Sequence, residues 1–329
     1  MIKIIEDESA IRKYQKKFLR CFKPYIDEKI AVRIGHMGAS FNAKVLWSKE
    51  LGIWLYATKI EGSRYWNAFG LDKPKAHSTV SITCEINLPI SGIDRRIGGA
   101  VARDQKNNIF LVHRGIIGGG KKGIGKSLFE QNYRGVWTLL EDGSRDISVA
   151  LIGLLNSPNL ARQAVHFIHK IDRIKNQTAP SSLQLEIFDE YYLREELIGA
   201  KLSESQRNLE AECNSALIVK DLYERLVEYR LRAANDAYRD LFIVDKADMV
   251  KAVFLIRTDI SADKLQEGAM RLLMNTLSLP RQPRLIMVLP EHPDKQWARK
   301  LTNLNIEYLV YRWNGDRVEF PALTKLLPF

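Results

Sequence analysis

Apolar positions along the chain change period three times. Over residues 7–23, Ile11, Tyr14, Phe18 and Phe22 recur at helical spacing with lysines and arginines between them, and Pro24 follows where a helix would stop. From about residue 30 to 156 the spacing becomes that of strands. AVRIG, AKVLW, GIWLYATKI, TVSITCEINL, GGAVARD, NIFLVHRG, GVWTLL and DISVALIGLL are short and rich in β-branched and aromatic residues. SKELG, DQKNN and EDGSR punctuate them as turns. The pattern predicts a β-rich barrel or sandwich of roughly seven or eight strands. A helix follows, with Ser157 as its cap, Pro158 at its first position, and an apolar stripe of Leu160, Val165, Phe167, Ile168 and Ile171.

The polar, proline-containing stretch NQTAPSS at 176–182 predicts a boundary, giving domains over 1–178 and 179–329. Beyond it, a long helix from Ser203 or Ser205 to about Leu231 precedes two strands, YRDLFIVD and KAVFLIRTD, around the turn KADM. SADKLQEGAMRLLMNTL reads as a capped helix, RLIMVLP as a buried strand, DKQWARKLTNLN as a helix and IEYLVYRW as a strand. Helices alternating with apolar strands predict an α/β domain with a central sheet. The fold class expected for the whole chain is α+β, an N-terminal β-rich barrel or sandwich followed by a C-terminal α/β domain.

Length and composition agree with this division. The 329 residues, 46% hydrophobic and 27% charged, are ordinary for about two folded domains. No apolar run approaches the roughly 18 residues of a membrane span, and no secretion signal is evident at the start. Cys21, Cys84 and Cys213 stand far apart and form no metal or disulfide spacing, so a cytoplasmic protein with reduced thiols is expected.

Charge adds the first functional hint. Residues 1–175 carry 29 Lys+Arg against 16 Asp+Glu, whereas 176–329 carry 21 against 23. The whole surplus of +11 therefore sits in the first half, and a basic domain beside a neutral one implies a polyanion partner, most often nucleic acid.

Candidate contacts lie in glycine-rich segments. Gly120–Ser127, GKKGIGKS, matches the phosphate-cradling pattern G-x-x-x-x-G-K-[ST], in which Lys126 and Ser127 would hold phosphate and metal. Strands on both sides of it, and the short LFEQNYRG after it, argue against a nucleotide-hydrolysing loop. The alternative is a nucleic-acid backbone gripped by His113, Arg114, Lys121, Lys122 and Lys126. Arg95 and Arg96, beside Asp94 in the turn SGIDRRIGG, form a second candidate. Among the aromatic residues crowding 47–69, Tyr65 and Trp66 sit in a loop-like context and are the candidates for base stacking. His166 and His169 stand three apart on a helix with no third metal ligand evident.

In 203–313, the order of helix, strand, strand, helix, strand, helix and strand resembles that of the PD-(D/E)XK nucleases, the fold of many restriction enzymes. YRDLFIVD supplies Asp240 just before an apolar strand, and AVFLIRT occupies the next one. At the (D/E)-x-K position the chain reads Leu255-Ile256-Arg257, so the acid is missing and the lysine is arginine. The resemblance implies a restriction-endonuclease-like C-terminal domain in a restriction or defence setting. Its centre, if active, would perform Mg²⁺-dependent phosphodiester hydrolysis, with Asp240 and Glu267 holding the metal and Arg257 stabilising the phosphate. Glu210, Glu212 and Asp259 are further sources of the missing acid. The other reading is a non-enzymatic DNA-binding subunit whose pseudo-nuclease domain mediates dimerisation or docks a partner. The expected partner is thus nucleic acid, DNA first, with a second copy or a partner subunit beside it and no membrane.

Overall fold

The computed structural model describes residues 1–36, 39–117, 125–176, 209–236 and 238–327, which divide into two compact units. The boundary expected at 178/179 lies outside the described residues.

In chain order the first unit contains β1 (Ile2–Ile4), α1 (Glu8–Cys21), β2 (Glu28–His36), β3 (Ala39–Ser48), β4 (Ile53–Ile60), β5 (Arg64–Leu71), β6 (Thr79–Ser81), β7 (Cys84–Glu85), β8 (Leu88–Pro89), β9 (Gly99–Arg103), β10 (Ile109–His113), α2 (Lys126–Asn132), β11 (Trp137–Glu141), β12 (Asp146–Leu154) and α3 (Leu160–Asn176). A closed barrel is formed in the order β1-β11-β12-β10-β9. Strand β1 closes it, pairing parallel with β11 and antiparallel with β9. A second sheet runs β6-β2-β3-β4-β5-β7, with β8 also on β5.

Helix α1 begins where the Asp7 carboxylate accepts the Ala10 amide at 2.7 Å. Its Ile11 and Phe18 enter a shared core with Leu55 and Phe69 of the second sheet, Leu111 of the barrel and Phe167 of α3. The other face of that sheet carries its own apolar cluster, including Val32, Val45, Trp47, Trp54 and Trp66. Helix α3 starts at Leu160, later than Ser157-Pro158 would place it. The Asn159 carbonyl takes the first intrahelical bond, from Gln163 N at 2.9 Å, while the Ser157 hydroxyl accepts the Asn159 amide at 3.2 Å.

The second unit contains α4 (Leu209–Glu228), β13 (Arg232–Ala234), β14 (Leu241–Val244), β15 (Val250–Ile256), α5 (Ala262–Met274), β16 (Arg284–Leu289), α6 (Lys295–Asn303), β17 (Ile306–Val310), β18 (Arg312–Asn314), β19 (Arg317–Glu319) and α7 (Leu323–Leu326). One sheet runs β13-β14-β15-β16-β17, antiparallel through the first three strands and parallel from β15 to β17. Alternate residues of β15 face opposite layers, as strand geometry requires. Val253 and Leu255 pack with Leu265, Ala269 and Leu272 of α5 and Leu301 of α6. Ala252, Phe254 and Ile256 pack with Val219, Leu222 and Leu226 of α4. The stretch IEYLVYRW is not one strand. It breaks at Tyr311, and β18 turns back on β19 as a separate hairpin through Gly315-Asp316, with Gly315 at φ +63°.

The molecule is thus mixed α+β. No described helix is long and apolar enough to cross a membrane.

Candidate nucleic-acid interface and metal centre

An exposed cationic face of the first unit lies on α1. Arg12, Lys13, Lys16, Lys17 and Arg20 recur at i, i+1, i+4, i+5 and i+8, which places them on one helical face, and all five are exposed. The opposite face buries Ile11, Gln15 and Phe18. Lys17 is hydrogen-bonded to the Asn156 side chain, whereas the side chains of Arg12, Lys16 and Arg20 have no hydrogen bond or ion pair among the described residues. The signal for this stripe is present in RKYQKKFLR, where basic residues fill the positions between the apolar ones.

Arg95 and Arg96 stand near the start of this helix. The Gly92 amide donates to the Glu6 carbonyl at 2.8 Å, bringing their turn against the residues that lead into α1. Arg96 is 91% exposed and bonds Asp94, whose carboxyl is held below its usual range by that hydrogen bond. Arg95 is half exposed and reaches Asp142, Nε to Oδ2 at 3.2 Å and Nη2 to the backbone carbonyl at 2.7 Å.

The structure withdraws other candidates from the surface. Arg114 is 3% exposed, and its Nη2 meets Asp142 Oδ1 at 2.7 Å. Its Nη1 donates to the Ile97 and Gly99 carbonyls at 3.2 and 3.3 Å. Arg114 is therefore an internal strut between β11 and the approach to β9, not a phosphate ligand. His113 is fully buried in the barrel wall against the Phe129 and Phe167 rings. Its Nδ1 accepts the Gly115 amide at 3.1 Å, so the proton resides on Nε2, 3.3 Å from the Glu85 carbonyl. Burial, the largest influence, lowers its pKa to about 4, so a neutral imidazole sits where a cationic group was expected.

Tyr65 and Trp66 are likewise corrected. They lie in β5, 8% and 5% exposed, and pack into opposite faces of the second sheet. Neither ring face is open to a base. Strand β5 is buried on both sides, so it lacks the alternation that would have marked it as a strand.

Of the glycine-lysine loop, residues 118–124, including Lys121 and Lys122, lie outside the described residues. Lys126 is half exposed in the first turn of α2 and pairs with Glu130 at 3.4 Å. The strand before this loop, β10, is antiparallel to both its neighbours, and α2 spans seven residues. A phosphate-binding loop instead joins a parallel strand to a full helix.

The candidate metal centre is assembled at the start of β14 and the end of β15. Asp240 Oδ2 accepts the Ile256 amide at 3.0 Å, and its Oδ1 accepts Arg271 Nη2 of α5 at 2.9 Å. Glu267 of α5 accepts from Lys264 at 3.0 Å and lies 3.5 Å from Arg257 Nη2. Burial pushes the Glu267 carboxyl up, but the Lys264 hydrogen bond and the Arg257 charge outweigh it and lower it overall. Arg257 is 12% exposed, and burial lowers its pKa. Its Nε and Nη2 find no hydrogen-bond acceptor among the described residues.

These residues do not fit a divalent cation. Two carboxylates face three cations, Arg257, Lys264 and Arg271, and each carboxylate is already engaged. Guanidinium donors lacking acceptors would meet a metal with repulsion. Leu255, at the position of the missing acid, is 2% exposed in the layer beneath α5. Asp259 is occupied by the Ser261 amide at 2.7 Å. No group of three or more His, Cys, Asp or Glu able to hold a metal occurs among the described residues, His166 and His169 included. The cysteines offer no reactive thiolate, since burial raises all three and pushes Cys84 up to about 12.

No family model matches this chain, and no curated protein or solved structure matches it.

Proposed function

We propose that this is a DNA-binding protein whose first unit grips the phosphate backbone through the outer face of α1, and whose second unit is a restriction-endonuclease-like core without hydrolytic activity. One observation carries the binding half of the reading: five exposed cations on one face of α1, three with no internal partner among the described residues. Surface lysines and arginines without acid partners suit phosphate neutralisation, because counterion release on binding drives association. Arg95 and Arg96, near the helix's N-terminal end, are each paired with an aspartate and are secondary contacts in this reading.

The element order of the second unit supports the nuclease-like architecture, and its charge pairing supports the loss of hydrolysis. Hydrolysis in that class needs carboxylates free to hold Mg²⁺, and Asp240 and Glu267 are engaged by arginine and lysine. The second unit then serves to dock a second copy or a partner subunit within a restriction or defence system.

Binding to duplex DNA across a salt series tests the first half. Each cation withdrawn from a phosphate flattens the slope of log K against log salt by about 0.9. Replacing Arg12, Lys13, Lys16 and Arg20 by Gln is expected to flatten it by about three to four. An unchanged slope refutes the α1 interface. Incubation of plasmid and phage DNA with Mg²⁺ or Mn²⁺ tests the second half. The expected result is intact DNA. Cleavage that disappears in Asp240→Ala would restore the hydrolytic reading.

A further inference from the structure

The carboxylates of the Asp240 cluster are engaged within the fold, but the polar groups of a second cleft in the same unit are not. This cleft lies past the carboxyl ends of the parallel strands β15, β16 and β17, lined by Thr258, Pro290, Tyr311, Arg312 and Trp313, and by Glu210 from the first turn of α4. Ligands of open α/β sheets gather in such crevices, because the crossover helices leave them uncovered. The volume is about 450 Å³, within the roughly 300–1,000 Å³ of small-molecule sites.

The state of the polar groups distinguishes this cleft from a surface dent. The side chains of Glu210, Thr258, Tyr311, Arg312 and Trp313 make no hydrogen bond or ion pair among the described residues. Five unengaged polar groups, one of them on a half-buried indole, constitute recognition capacity the fold itself does not use. Burial raises the Tyr311 hydroxyl's pKa and keeps it protonated, so it stands ready as a donor.

We infer that this cleft binds a nucleoside monophosphate. The Trp313 indole supplies a stacking face for the base, and Arg312, which lines the same cleft, neutralises and bonds the phosphate. Thr258 and Tyr311 donate to phosphate or ribose oxygens, and Glu210 accepts from ribose hydroxyls or a base amino group. A single lining guanidinium suits one phosphate better than a triphosphate. The same chemistry is offered by a free mononucleotide and by the phosphorylated end of a single strand. The inference is independent of the α1 interface, which lies in the other unit.

Calorimetric titration of the full chain tests it, with AMP, GMP, CMP and UMP as free ligands and 5′-phosphorylated tetranucleotides as strand ends. Adenosine and inorganic phosphate serve as controls. At least one monophosphate, free or strand-terminal, is expected to bind more tightly than either control. The better of the two forms identifies the source. Trp313→Ala is expected to weaken binding about tenfold by removing the stacking face. Arg312→Gln, at an exposed side chain that supports nothing in the fold, is expected to weaken nucleotide binding about tenfold and leave adenosine unchanged. Trp313→Phe keeps a ring and retains most of the affinity, which separates a missing stacking face from a failure to fold. The α1 substitutions leave free-nucleotide binding unaltered. No binding of any probe at millimolar concentration overturns the inference. So does binding that is indifferent to Arg312→Gln and Trp313→Ala, or that disappears with the α1 substitutions.

Discussion

Removing the Asp142 carboxylate should cost far more than breaking a surface ion pair would. The Asp142 side chain is fully buried and Arg114 is 3% exposed, joined at 2.7 Å. An exposed pair of this kind contributes about 0–1 kcal/mol, because water screens it. Here solvent cannot replace the missing partner. Among the described residues, the guanidinium in Asp142→Ala keeps only the Ile97 and Gly99 carbonyls at 3.2 and 3.3 Å, and its Nε already lacks an acceptor. Leaving a buried charge uncompensated costs about 3–5 kcal/mol. Amide hydrogen exchange of β9, β10 and β11 measures the effect within the barrel, and opening free energies there are expected to fall by that amount. Arg95→Ala removes the half-exposed member of the same network, and its effect should stay near 1 kcal/mol. Replacing both buried partners, with Arg114→Met and Asp142→Leu together, should recover most of the loss, since no charge is then stranded. A loss below about 1 kcal/mol in Asp142→Ala, equal to that in Arg95→Ala, would refute the claim that this pair is a sealed strut.

Two further outcomes follow from burial. His113 titrates near 4 when folded and near its ordinary 6.5 when unfolded, so between those values the unfolded chain holds the extra proton. Its contribution is complete above 6.5 and is lost as pH falls towards 4, by about 3 kcal/mol in total. Urea unfolding at several pH values should show this slope, and His113→Gln should remove that part of it; an unaltered slope would mean His113 is not the titrating group. Gly70→Ala should lower the melting temperature through a loss of about 1–3 kcal/mol by overpacking. A Cβ there would stand 2.3 Å from the ring of Trp54, which is 1% exposed, and a melting temperature equal to wild type would show that the ring yields freely.

Much of the local structure follows from the sequence pattern. The Ile11 and Phe18 stripe with Asp7 before it forms α1, and the β-branched runs around KADM form β14 and β15. The confinement of the charge surplus to the first half is also readable without coordinates. Periodicity and composition are local properties, and these elements bury one face against a core while presenting the other to water or to a second layer. Tertiary structure alone decided which candidates remain at the surface. Barrel closure by β1 pairs Lys3 with Arg103 and Ile2 with Leu140, neighbours that no short stretch of sequence brings together. The pairing of β10 with β9 and β12 places His113 in the barrel wall, and Arg114, the next residue, turns inward to Asp142. Strand β5 is buried on both faces by layers distant in sequence, and this withdraws Tyr65 and Trp66. The pairing of Asp240 with Arg271, and the convergence of Glu210, Thr258 and Arg312 on one cleft, join segments separated by some 30 to 100 residues. Whether a charge is neutralised within the fold or left for a ligand depends on such distant partners, and a sequence window does not contain them.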